Sequence, residues 1–114
     1  MSLALKSGKG QIPSWIKSDP YWNSALYILE SLVKRDSKFL ALTQAHVNIE
    51  ESTISFTDMK REAALWPRGE RLMIDLAAHL FNEEVHEFYL SDFELLDSQL
   101  KEIAIKGIRK RFNI

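Results

Sequence analysis

The chain contains no cysteine, which excludes disulfide frameworks, thiolate zinc sites and thiol nucleophiles and suits a cytosolic protein. Its four glycines stand apart at 8, 10, 69 and 107, so there is no glycine-rich phosphate loop. No Gly-x-Ser-x-Gly elbow occurs either, and no motif supports an enzyme. No run approaches the roughly 18 apolar residues of a membrane span. The opening stretch from Met1 to Pro13 is interrupted by Lys6, Lys9 and Gly10, which leaves no apolar core for a signal peptide. A large net charge is missing too: −1 over 114 residues exerts no overall pull on nucleic acid or on an anionic membrane.

What is present is a hydrophobic content of 46%, enough for one packed core at this length. The small net charge hides a segregation. Residues 1–40 carry six Lys and Arg against three Asp and Glu, and residues 101–114 carry five against one. The middle, residues 41–100, carries four against twelve. An acidic middle between basic ends favours contact with a neighbouring copy, with a basic partner, or within the fold itself. Residues 1–11 lack periodicity and read as a flexible lead-in, with 12–114 forming a single helical domain.

Apolar spacing marks the helices. In "SDPYWNSALYILESLVKR", Ser18 or Asp19 is placed to cap the first turn, and Pro20 stands where its missing N–H does no harm. A second helix is expected from about Ser37 to His46, followed by a short hairpin within 47–56. Ser55 and Asp58 have capping-box spacing for a short helix that Pro67 ends. The next helix is predicted from Pro67 or Gly69 to Phe81, with Asn82 as a left-handed terminator. "VHEFYL", residues 85–90, has the composition of a strand, and Ser91 with Glu94 predicts a last helix starting near Asp92.

Several groups are candidates for chemistry. Arg71, Asp75 and His79 run down one side of the predicted 67–81 helix. A carboxylate one turn from a histidine can orient a general base, but no nucleophile accompanies the pair, and the line also describes the solvent edge of a core helix. His79, Glu83, His86 and Glu87 would gather as metal ligands only on an unbroken helix, and Asn82 is expected to break it, so no metal is assigned. Residues 57–80 have helix-turn-helix spacing, but a recognition helix needs a broad polar face, and an αα-hairpin fits better. Lys106, Arg109, Lys110 and Arg111 are the candidate contacts to a phosphate backbone. Trp15, Tyr21 and Trp22 are the candidate partner surface, against the default that aromatics fill the core.

The resulting expectation is a mainly α, single compact domain of four to five helices. A small two-stranded β element around 47–56, pairing with 85–90, gives the α+β alternative. The expected role is a cytoplasmic, non-catalytic interaction or regulatory domain. It would bind a protein partner or form a homo-oligomer, with no cofactor and no membrane. The alternative is a nucleic-acid-associated protein that uses the basic end of the last helix.

Overall fold

Two helices of this chain start at an aspartate, Asp19 or Asp97, whose side chain accepts first-turn amide hydrogens. In the computed structural model, which describes residues 13–114, α1 (Ser14–Ser18) leads into α2 (Pro20–Arg35). The Asp19 carboxylate accepts the amide hydrogens of Tyr21 at 2.9 Å and Trp22 at 3.3 Å, and Pro20 takes the first helical position. The break before α3 (Lys38–His46) falls at Asp36, whose carboxylate accepts from the Lys38 amide. The expected flexible lead-in over 1–11 lies outside the described residues. The short helix α1 was not anticipated by the spacing.

Two-residue strands β1 (Val47–Asn48) and β2 (Thr53–Ile54) pair antiparallel, Val47 opposite Ile54 and Asn48 opposite Thr53. Ser52 turns the chain with φ of 57°, and the Asn48 side chain accepts the Glu51 amide hydrogen across the turn. Helix α4 (Phe56–Glu62) follows, with Ser55 as its N-cap residue. The Ser55 hydroxyl donates to Asp58 and its amide donates to the His46 carbonyl, so the reciprocal capping-box bonds are not made. Pro67 precedes α5 (Arg68–Phe81), as the sequence predicts.

Three expectations are corrected between α5 and the C-terminus. Among the described residues the hairpin pairs only with itself, and residues 85–90 form no strand. Val85 and His86 instead donate their amides to the Asn82 carbonyl in a turn, and Val85 is left 65% exposed. With no sheet edge beside it, a β-prone run has nothing to pair with, which is how context overrides strand propensity. Asn82 ends α5 with φ of −151°, not in the left-handed region; the left-handed asparagine is Asn113, after α6. The last helix also begins later than predicted. Leu90–Leu95 is a 3-10 helix, Leu96 is extended, and α6 runs from Ser98 to Phe112. Its cap is Asp97, which accepts the Leu100 amide hydrogen at 2.9 Å while Arg35 of α2 grips both carboxylate oxygens. A carboxylate fixed from both sides defines the helix start more strongly than a Ser91 cap without a tertiary partner.

The assembled domain is mainly α, with one small sheet. Helix α2 is its spine, packed against α5 and α6, and the fully buried side chains include Ile28, Leu29, Leu32, Phe39, Phe56, Met59, Met73 and Leu76. Each such side chain contributes about 1.5–3 kcal/mol by leaving water. Helix α6 lies close against α2 at Gly107, where a Cβ would come within 2.6 Å of the Ile28 side chain. In α5, Leu72, Met73, Ile74, Leu76, Ala77, Ala78 and Leu80 are buried, while Arg71 is exposed and Asp75 and His79 are half-buried. This burial pattern places the Arg71–Asp75–His79 line at the boundary between core and solvent.

Candidate functional site

At one end of the molecule the start of α2 meets the end of α6. The Arg111 guanidinium stacks 3.8 Å from the Tyr21 ring and 4.9 Å from the Phe112 ring. It also donates to the Leu80 carbonyl at 3.0 Å and to Glu83 at 3.0 Å, so one side chain ties α6, α2 and the end of α5 together. Tyr21 remains 44% exposed, Phe112 57% and Trp15 39%. Trp22 differs from the other two members of the predicted partner surface: it is only 6% exposed, edge-on between Trp15 and Phe81. Helical spacing cannot separate these neighbours, because the positions of α1, α5 and α6 together decide which face of α2 is covered.

The other predicted cations of α6 are also engaged. Lys106 pairs with Glu102 one turn earlier, Lys110 lies over the Tyr27 ring, and Arg109 donates to the Ile114 carbonyl. The four basic residues therefore do not form a free stripe of donors directed at a phosphate backbone.

The α5 line resolves into separate contacts. Arg71 Nε donates to the Trp66 carbonyl at 3.0 Å, which steadies the turn before the helix. His79 does not pair with Asp75; its Nδ1–H donates to the His86 carbonyl at 2.8 Å. His86 in turn accepts from Lys60 of α4, Nζ to Nδ1 at 2.9 Å, with its ring edge-on to Phe56. Glu83 meets Arg111, and Glu87 accepts from the Tyr89 hydroxyl. The four sequence candidates for metal binding thus turn to four different partners, and no three acidic or histidine side chains cluster for a metal among the described residues.

What the spacing does not reveal is the surroundings of Asp75. The nearest cation is Lys60, whose Nζ is 3.8 Å from the carboxylate, beyond hydrogen-bond length. Burial holds the Asp75 carboxyl above the usual aspartate range, against the opposing pull of Lys60 and Arg71. Burial, and then the neighbouring Lys60 charge, push His86 below its ordinary value. Two cavities adjoin here, one of about 200 Å³ beside Lys60 and Ile74, the other of about 520 Å³ beside Arg68, Leu72 and Tyr89. Arg71 and Asp75 belong to the walls of both. Lys60, Phe88, Tyr89 and Asp92 come from other elements than α5, so no periodicity connects them to Asp75.

No family model, no curated protein and no solved structure matches this chain.

Proposed function

We propose that this chain is a non-catalytic protein-interaction or regulatory domain that works in the cytoplasm by associating with a second copy of itself or with a protein partner. One observation carries the reading: the exposed rings of Tyr21 and Phe112, both stacked on the largely buried Arg111 guanidinium, with Trp15 also exposed on α1. Tyr and Trp are among the side chains that dominate interface energetics when a partner removes them from water. Arg111 is already immobilised by Leu80 and Glu83, which lowers the entropy lost on binding. A second copy is the favoured partner because one aromatic end can meet the same end of its neighbour in a self-complementary, two-fold contact. The nucleic-acid alternative has less support, since each of the four C-terminal cations already has an intramolecular contact. No helix among the described residues is long and apolar enough to cross a membrane.

Light scattering across a concentration series tests the proposal, with a Tyr21→Ser, Phe112→Ser double variant beside the wild type. The expected result is a mass that rises with concentration for the wild type and stays monomeric for the folded variant. A wild type that is strictly monomeric at high concentration would sink self-association. Equal association by both proteins would remove the aromatic end as the interface.

A further inference from the structure

The cleft over Asp75 has no part in the aromatic surface and has a chemistry of its own. Its cations are Lys60, Arg68 and Arg71; its carboxylates are Asp75, Glu87 and Asp92. Among the described residues, neither Arg68 nor Arg71 has a carboxylate partner. Lys60 is drawn toward His86 and leaves Asp75 without a close ion pair. A purely anionic ligand would face three carboxylates and a purely cationic one three cations, so the balance favours a molecule carrying both charges. Arg71 and Asp75 lie one turn apart on α5, about 6 Å along the axis. An ammonium and a carboxylate on one short carbon skeleton cover that span with a hydrogen bond at each end. Leu72, Phe88 and Tyr89 supply an apolar wall beside them, and about 520 Å³ is within the range of small-ligand pockets.

We infer that this cleft binds a small dipolar ligand, an amine-bearing carboxylate of the free amino-acid class. Its ammonium meets Asp75, its carboxylate meets Arg71, and its side chain lies against Leu72, Phe88 and Tyr89. The partial burial of Asp75 disfavours its charge, and a ligand ammonium beside the carboxylate offsets that cost.

Heteronuclear NMR titration of the whole chain with free phenylalanine and free leucine tests this. Phenethylamine, hydrocinnamate and inorganic phosphate serve as probes that each lack one of the two charges. The expected result is saturable shifts at Arg71, Leu72, Asp75 and Tyr89, with at least one amino acid binding about tenfold more tightly than any single-charge probe. Asp75→Asn, which keeps the side-chain shape, and Arg71→Gln should each weaken that binding by about tenfold or more while the rest of the spectrum stays native. The inference is overturned if neither amino acid produces shifts at millimolar concentration, if phosphate or either half-ligand binds as tightly, or if Asp75→Asn binds unchanged.

Discussion

Asp75 and His86 show how a single ionisable group registers its surroundings. For Asp75 the folded protein raises the carboxyl above its ordinary value, because burial outweighs Lys60 and Arg71. The unfolded chain therefore gives up its proton first as pH rises, and ionisation at neutral pH disfavours the folded state. Asp75→Asn is accordingly expected to melt at the same or a higher temperature than the wild type at pH 7. Any gain should fade below the ordinary aspartate range of about pH 3.9, where both states are protonated. A clear loss of stability on this substitution, measured by thermal melts from pH 3 to 7, would contradict the account. His86 is depressed in the folded protein, so its contribution to stability is present above its ordinary value of about 6.5 and is lost as pH falls through the folded value. Protonation converts the Nδ1 acceptor into a donor facing the Lys60 ammonium, breaking the contact that ties residues 82–89 to α4. Amide protection in that loop, with exchange rates corrected for their intrinsic pH dependence, should fall on acidification toward pH 5, and His86→Phe, which keeps the ring against Phe56, should abolish the change.

Among the elements, α6 is the most instructive because its start and its middle are each set by α2. Asp97 is held below the usual aspartate range chiefly by Arg35 and then by the Leu100 amide. Its support of the fold is present above pH 4 or so and is lost as pH falls through the lowered value. Asp97→Ala removes the cap, and a loss of about 1–2 kcal/mol is expected from chemical denaturation. Ser91→Ala should be within about 0.5 kcal/mol of the wild type, because no helix starts at that serine. The opposite order would mean that α6 begins earlier than the structure shows. Further along, Gly107→Ala drives a methyl group into Ile28. Overpacking of roughly 1–3 kcal/mol outweighs the gain of about 1 kcal/mol in helix propensity, so the variant should be less stable. The double variant with Ile28→Val should recover part of the loss, and a double-mutant cycle measures the coupling.

At the scale of the molecule, some of the segregated charges that the composition reveals are used within the fold. Arg35 reaches Asp97, Arg111 reaches Glu83 and Lys38 lies 2.5 Å from Glu70, each joining elements far apart in the chain. The exposed large side chains include Trp15, Tyr21 and Phe112, and Leu90 and Leu95 on the 3-10 segment. Self-association through the aromatic end is therefore expected to survive salt near 1 M, where the screening length is about 3 Å. Sedimentation in low and high salt distinguishes this from an interface made by the acidic middle and basic ends, which would dissociate.

Local signals determined much of this protein before any tertiary contact is considered. The Asp19 cap with Pro20, the break at Asp36, the turn at Pro67 and the apolar face of α5 all depend on residues within about one helical turn of each other, where hydrogen bonding and periodicity act directly. The tertiary structure decided what required distant partners. Residues 85–90 stay irregular because no sheet edge among the described residues lies beside them, and α6 waits for Asp97 because Arg35 holds that carboxylate. Trp22 is buried while Tyr21, its neighbour, stays half exposed beneath Arg111. Asp75 was visible as one member of a stripe, but its cleft exists only because α4 brings Lys60 and the 82–97 segment brings Tyr89 and Asp92 to the same face. Sequence spacing encodes neighbours along a helix; a cleft between elements is set by how their buried faces pack.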